Sequence, residues 1–252
     1  MRVLFIGDVV AAPGVRAVRT HLPEIRSLYS FVIANGENSA NNTRGLSRPA
    51  YWALRDAGVD LVTLGNHAWD HKDVYELLER EPVIRAQNYP PETPGQGHWR
   101  LQSGHDELEV IQLMGRVFMA PLENPFWAWR EFWHPELAPV LLEVHAEATS
   151  EKLALAHFVD GEAAAVLGTH THVPTLDYGL LPRGTAYQSD VGMTGVYDSI
   201  IGTDIEASVK HFLTARPHPF RAAVGLARFQ ATEIWLEAGR VHKIVPYTWE
   251  EV

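Results

Sequence analysis

The sequence predicts an α/β fold with a largely parallel sheet, organised as one domain that holds two sheets. Three observations carry that expectation. From Arg2 to Arg80, short apolar runs rich in β-branched residues alternate with amphipathic helical patterns, as crossover-connected parallel strands require. From Tyr89 the character changes to a Pro/Gly-marked loop, new strand runs and an aromatic segment, which calls for a second sheet. No repeat, linker or low-complexity tract divides the 252 residues, so residues 1–252 read as a single domain.

In order, residues 3–7 form the first expected strand, with Asp8 at its end. Pro13-Gly14 opens a helix to about Leu28 that places Val15, Val18, Leu22 and Ile25 on one face. A second strand at 31–34 runs into Asn35-Gly36-Glu37-Asn38, and a polar loop at 41–45 follows. Pro49 starts a helix to about Ala57. The third strand, 60–64, stops at Gly65-Asn66-His67, and Asp70 is placed to cap the next helix, which reaches about Arg80. Pro90, Pro91, Pro94, Gly95 and Gly97 mark a loop, after which 99–101 and 108–113 read as strands. Residues 125–133 carry Phe126, Trp127, Trp129, Phe132 and Trp133; they read as an amphipathic helix against the body, with a substrate-facing or subunit-facing flap as the alternative. A strand at 140–144 delivers His145, with Ser150 as the expected cap of the helix after it. Another at 163–167 delivers Gly168-Thr169-His170-Thr171-His172. A short strand at 186–190, a helix at 205–213 and a hairpin turning at Glu237-Ala238-Gly239-Arg240 complete the chain.

Composition narrows the function. Hydrophobic residues make up 46% and charged residues 21%, as in soluble globular proteins. No apolar run nears the roughly 20 residues that span a bilayer, and the N-terminus reads as a strand, not a signal sequence. With no cysteine, disulfides and thiolate metal sites are excluded, and a reducing, cytoplasmic setting fits. A net charge of -10 argues against long nucleic acid as partner, though not against a small phosphate ester held by metal ions.

Each of five strand ends carries possible metal donors: Asp8, Glu37, Asn66-His67, His145, and His170 with His172. Each has a plainer reading. Asp8 could cap a helix, Glu37 could be a solvated turn residue, Gly-Asn-His could be only a turn, and His145 could be an ordinary strand-end histidine. The His170-Thr171-His172 pair is the most specific piece; on a strand both imidazoles would share one face, while a turn leaves their geometry open. Taken together, hard oxygen donors and imidazoles at the carboxyl edge of a sheet point to a metal centre. The set suits Mn²⁺, Fe²⁺ or Zn²⁺, Fe²⁺ or Mn²⁺ before Zn²⁺, and suits Ca²⁺ badly. There are more donors than one tetrahedral site needs. Two divalent ions are therefore expected per chain, about 3.5–4 Å apart, with a bridging carboxylate and an attacking hydroxide between them.

The clusters resemble the motif blocks of the calcineurin-like metallophosphoesterases, and nearly the whole chain resembles their YmdB-like branch. The matching stretches are Ile6-Gly7-Asp8-Val9-Val10, Asn35-Gly36-Glu37-Asn38, Gly65-Asn66-His67, the segment from Val144 to Lys152, and the segment from Gly168 to Thr175. Where the wider superfamily has Asp-x-His this chain has Val10, and where it has Gly-Asp this chain has Gly36-Glu37; both departures are typical of the YmdB-like branch. The resemblance implies a two-sheet β-sandwich flanked by helices, with the site at the sheet edges. It implies one ion held by Asp8, Glu37 and His172, with Asn38 as a further ligand in place of the missing histidine. It implies a second held by Glu37, Asn66, His145 and His170, with Glu37 bridging. His67 is then unligated and acts as the catalytic acid. The family is associated with hydrolysis of 2′,3′- and 3′,5′-cyclic nucleotides and with homo-oligomers.

The leading expectation is a dinuclear phosphodiesterase acting on small phosphodiesters, with His67 protonating the leaving oxygen. A phosphomonoesterase could use the same site. A metal-dependent nucleotide-binding regulator without turnover is the alternative from another class; a pure binder has no use for His67. An iron oxygenase built on Asp8 and two histidines leaves too few open positions.

Overall fold

A strand that is apolar at consecutive positions must be covered on both faces, and the strand runs of this chain are covered in that way. The computed structural model describes residues 1–216 and 221–252. Among these the elements run β1 (Arg2–Ile6), β2 (Asp8–Val9), α1 (Ala11–Ile25), β3 (Phe31–Asn35), α2 (Arg48–Ala57), β4 (Leu61–Thr63), α3 (Val74–Arg80), β5 (Val83–Ile84), β6 (His98–Ser103), β7 (Asp106–Met114), α4 (Pro125–Phe132), β8 (Val140–His145), α5 (Thr149–Phe158), β9 (Ala165–Thr169), β10 (Gly179–Leu180), β11 (Ala186–Gln188), β12 (Met193–Val196), α6 (Ile205–Thr214), β13 (Ala227–Glu237) and β14 (Arg240–Glu250).

In the first sheet β1, β3, β4 and β5 are parallel neighbours, and β13 flanks β1 antiparallel. The long β13 pairs with β14 along one edge; its other edge serves β1 at residues 231–235 and β12 at 227–228. β2 continues from β1 but pairs parallel with β12, Asp8 opposite Met193. The second sheet has the order β10-β11-β9-β8-β7-β6, parallel from β7 to β11.

Period-two alternation sorts the strand residues into layers. Leu4, Ile6, Val32 and Val62 pack against Val18 and Leu22 of α1, Leu54 of α2 and Leu77 of α3. Val3, Phe5, Ile33 and Leu61 face Val110, Leu141 and Leu167 across the two sheets. Ile111, Leu142, Val144 and Val166 pack against Trp129 of α4 and Leu155 of α5. The result is the expected sandwich of two sheets with helices on both outer faces. Each fully buried aliphatic or aromatic side chain contributes roughly 1.5–3 kcal/mol relative to exposure.

Local departures from the sequence reading have simple causes. α1 begins at Ala11, ahead of Pro13, because the N–H that proline lacks is one of the orphans of a first turn, and Ala11 N–H donates to Asn38 O (2.9 Å). Asp70 does not cap α3: the helix starts at Val74, and Asp70 turns back to His67. Ser150 does not cap α5; the cap position is Ala148, which has no side-chain acceptor. The two-residue strands β2, β5 and β10 and the short β12 have no run long enough to announce them. The aromatic segment is a body-facing helix: Trp129 is fully buried and its indole N–H donates to Glu162 (2.8 Å), while Trp127 points to solvent. The β13–β14 hairpin closes through Ala238 and Gly239, both at positive φ, as a primed two-residue turn demands.

Candidate metal centre

Five strand ends meet along one seam, β1/β2, β3 and β4 from the first sheet, β8 and β9 from the second. They bring Asp8, Glu37, Asn38, Asn66, His67, His145, His170 and His172 together. The sheets are tied across the seam by Asn35, whose side-chain Nδ2 donates to Glu143 Oε1 of β8 (2.7 Å) while its Oδ1 accepts from Glu37 N (3.1 Å). That contact fixes the turn that presents Glu37.

One group is dense. His145 Nε2 lies 2.8 Å from Asn66 Oδ1, 3.0 Å from Glu37 Oε1 and 3.1 Å from His170 Nδ1. One ring nitrogen carries at most one proton and cannot satisfy three acceptors. Among the described residues Glu37, His145 and His170 each offer a ligand atom, all within 4.8 Å of one another. Gly65 makes room for this: a Cβ there would stand 2.4 Å from both Glu37 Oε2 and His145 Nε2.

The second group is more open. His172 Nε2 is 3.8 Å from Asp8 Oδ1. Asp8 Oδ2 accepts from His170 N (3.2 Å), but Asp8 Oδ1 and Asn38 Oδ1 are buried without a hydrogen-bond partner. Buried unpaired acceptors are costly unless a cation or donor meets them.

The imidazoles are oriented as ligands. His145 Nδ1–H reaches Thr169 Oγ1 (2.9 Å), whose hydroxyl donates to Glu143 Oε1 (2.8 Å). His170 Nε2–H meets Glu147 Oε2 (3.1 Å), and His172 Nδ1–H donates to Ile201 O (2.9 Å). His170 and His172 therefore direct a proton outward and turn a lone pair inward, as metal-binding histidines do, and His145 is oriented to do the same once its inward Nε2 proton gives way to a cation. His170 at φ +96° and His172 at φ +66° lie in the left-handed region, so the His-Thr-His segment is a turn beyond β9, not a strand. The turn sends the two rings to different groups.

The field favours positive charge. Burial would lower His145, but Glu37, and then Asp8 and Glu143, overcome it and raise the imidazole to about 9. Burial would raise Glu37, but the His145 imidazole and the His67 amide hold it at about 2. Burial, helped by His145, pushes His170 down to about 3, so that ring is neutral. Burial raises Asp8, against His172 and His145, with Asp190 and Glu37 adding to the rise. Inward lone pairs, orphaned oxygens and a cation-seeking field fit divalent metal ions.

The family model described as YmdB-like protein matches residues 4–246. The chain belongs to the YmdB-like family. A 2′,3′-cyclic-nucleotide 2′-phosphodiesterase of Bacillus subtilis (strain 168) is 46% identical over 232 residues, which cover 89% of this chain and 87% of that protein. The crystal structure of a hypothetical protein from Thermus thermophilus superposes with a TM-score of 0.98 at 64% identity over 100% of both chains. The calcineurin-like phosphoesterase YfkN from Bacillus subtilis shares the fold, with a TM-score of 0.59 at 9% identity over 99% of this chain and 90% of that one.

Beside the donors of this YmdB-like chain lies a cavity of ≈ 240 Å³ whose lining includes Asn38, His67 and His172 together with the apolar Val10, Ile201 and Phe212. A larger cavity of ≈ 630 Å³ lies beyond the 39–42 turn, against Arg19, Asn41 and Lys72, and touches none of the candidate donors. The smaller cavity is the one next to the chemistry.

Several partners have no plain signal in the sequence. Asp70 Oδ2 lies 2.8 Å from His67 Nδ1; its place ahead of a helical pattern suggested a helix cap instead. Glu143, Glu147 and Thr169 act through tertiary contacts only, as do Lys152 and Asp190.

Proposed function

We propose that this chain, a phosphoric ester hydrolase of the YmdB-like family, is a dinuclear metal-dependent phosphodiesterase acting on small phosphodiesters, 2′,3′-cyclic nucleotides foremost and 3′,5′ forms as well. The reading takes residues 1–252 as one cytoplasmic catalytic domain that self-associates. The exposed Val209, Phe212 and Leu213 of α6 support association. Among the described residues no helix is long and apolar enough to cross a membrane.

The observation that carries the proposal is the convergence of Glu37, Asn66 and His170 on His145 Nε2. In this reading Glu37, Asn66, His145 and His170 hold one ion, and Asp8, Asn38, His172 and Glu37 hold the other, with Fe²⁺ or Mn²⁺ before Zn²⁺. The ions would supply charge stabilisation at the phosphoryl oxygens and a water of lowered pKa. The chain supplies the rest. Glu37 Oε2 accepts from His67 N (2.8 Å), which sets the His67 ring at the edge of the cavity. Asp70 holds Nδ1, so Nε2 is left to carry the proton that the leaving alkoxide takes. This oriented acid favours turnover over mere binding. The apolar wall of Val10, Ile201 and Phe212 suits the organic part of a nucleotide, with phosphate toward the donors.

Elemental analysis of protein purified without added metal, with 2′,3′-cyclic nucleotide hydrolysis measured before and after EDTA, tests the proposal. Two transition-metal ions per chain and EDTA-sensitive, Mn²⁺-restorable turnover are expected. A fully loaded preparation with one ion, or turnover indifferent to EDTA, overturns it.

A further inference from the structure

The turn that carries His170 and His172 adopts a conformation its residues resist, so something must hold it there. The holder is a buried ion pair away from the donors. Asp190 and Lys152 side chains are 1% and 0% exposed and meet at 2.8 Å. Asp190 Oδ2 accepts from Thr171 N (3.0 Å) and from Thr171 Oγ1 (2.8 Å), and Thr171 stands between the two histidines. Lys152 Nζ also donates to Thr169 O (2.7 Å), the residue before His170. Asp190 Oδ1 accepts from Gly192 N (2.8 Å), and Gly192 O accepts from Asp8 N (3.1 Å).

The backbone around Asp190 is wedged between the strand ends that carry these donors. A Cβ on Gly7 would come within 1.9 Å of Gly192 O, and one on Gly168 within 1.7 Å of Ser189 O. One carboxylate is thus in register with Asp8 through Gly192 and with His170 and His172 through Thr171. A buried ion pair contributes little as a stabiliser, because desolvation offsets its attraction. Its directional bonds to both strand ends are what an apolar pair could not reproduce.

We infer that Asp190, charge-balanced by Lys152, is the positioning residue for the Asp8/His172 half of the metal centre. This rests on the two-ion reading above. Asp190 touches no candidate ligand side chain; it acts through Thr171 and Gly192. The Glu37/Asn66/His145/His170 side meets Asp190 only through His170, is otherwise held by Asn35 and by the Thr169–Glu143 contact, and should feel it less.

The experiment is Mn²⁺ titration of the metal-stripped full chain, following free Mn²⁺ by electron paramagnetic resonance, alongside the Tm of each stripped variant. Thr171→Val keeps the ion pair and every ligand but removes one bond to Asp190. It is expected to weaken the weaker Mn²⁺ site by about 10-fold, within the range found when outer partners of metal ligands are lost. Thr171→Ser keeps the hydroxyl and should restore wild-type affinity. Asp190→Asn should weaken the same site by up to about 100-fold. If Thr171→Val and Asp190→Asn both fold and bind two Mn²⁺ with wild-type affinities, the inference is overturned. Equal weakening of both sites in step with a lowered Tm overturns it too, because that is the mark of general destabilisation. A wild-type chain with one Mn²⁺ site sinks the two-ion reading and this inference with it, whereas two wild-type sites with unmoved variants sink this inference alone.

Discussion

His145 and His170 stand with ring centroids 4.8 Å apart, and three donors crowd His145 Nε2 at 2.8 to 3.1 Å. In the other group His172 Nε2 is 3.8 Å from Asp8 Oδ1, and the buried Asp8 Oδ1 and Asn38 Oδ1 have no partner. The dense half is backed by the Glu143–Thr169 relay and by Gly65, which admits no side chain. The open half shares Asn38 and His172 with the cavity wall. A preorganised donor set loses little freedom when it binds, while a loose one must be drawn in. The dense half is therefore expected to keep its ion through turnover, and the open half to exchange its ion and to meet the substrate.

The largest expected effect separates metal binding from chemistry in both halves. In the proposed centre His67 ligates neither ion, so His67→Ala should retain both. Cyclic-nucleotide cleavage expels a ribose alkoxide that needs a proton, and should fall by the 10²–10⁴-fold typical of general-acid catalysis. Hydrolysis of a nitrophenyl diester, whose leaving group needs little help, should fall much less. Equal losses on both substrates, or loss of metal, would mean that His67 is not the acid.

Next comes Glu37, which the proposed centre shares between its halves. Glutamine cannot bridge as an anion, so Glu37→Gln should empty both halves, whereas Asn38→Ala should weaken only the open one. Metal content by plasma emission spectroscopy decides; comparable loss in the two variants breaks the assignment of Glu37 as the bridge. Within the dense half, Thr169→Val removes the acceptor for His145 Nδ1–H and should weaken that ion alone by about 10–100-fold in a Mn²⁺ titration. If the open half weakens equally, the two are not independent.

How much of this contrast could be read from sequence depends on the kind of residue. Asp8, Glu37, Asn66 and His145 follow apolar runs whose period fixes where a strand stops, so their placement at one sheet edge was legible. The α/β alternation and the Ala238-Gly239 hairpin were legible for the same local reasons. The division into halves was not. His170-Thr171-His172 mimics a period-two strand, and only positive φ at both histidines sends their rings apart. Asp8 looked like a strand end, but β2 leaves β1 to pair with β12, a partner 185 positions away by its Asp8–Met193 register. Glu143, Lys152 and Asp190 are ordinary polar residues in sequence; their partners are set by chain crossings that no local pattern encodes, whereas Asp70 has a local partner, His67, to which it turns back instead of capping α3.

The smallest expected effect concerns what the dense half holds once its ion is stripped. Its field keeps a positive charge on His145: burial opposes this, but Glu37, Asp8 and Glu143 raise the imidazole from 6.5 to about 9. A group whose folded pKa is raised stabilises the fold fully below its unfolded value and stops doing so as pH climbs through the folded one. The Tm of EDTA-treated protein should therefore decline between pH 6.5 and about 9, on the order of a few °C. Mn²⁺ takes over the role of that proton, so the loaded protein should not show the decline. Of the site's other shifted groups, Glu37 is held at about 2, so its contribution is lost only in acid, and His170 is already neutral, while burial raises Glu143 to about 7, so its own decline runs from pH 4.5 to about 7 and is over before most of the His145 window. His145→Gln removes the titrating group and should flatten the stripped protein's profile. A flat profile in stripped wild type, or a decline that survives in His145→Gln, would show that the charge-seeking field does not belong to the dense half.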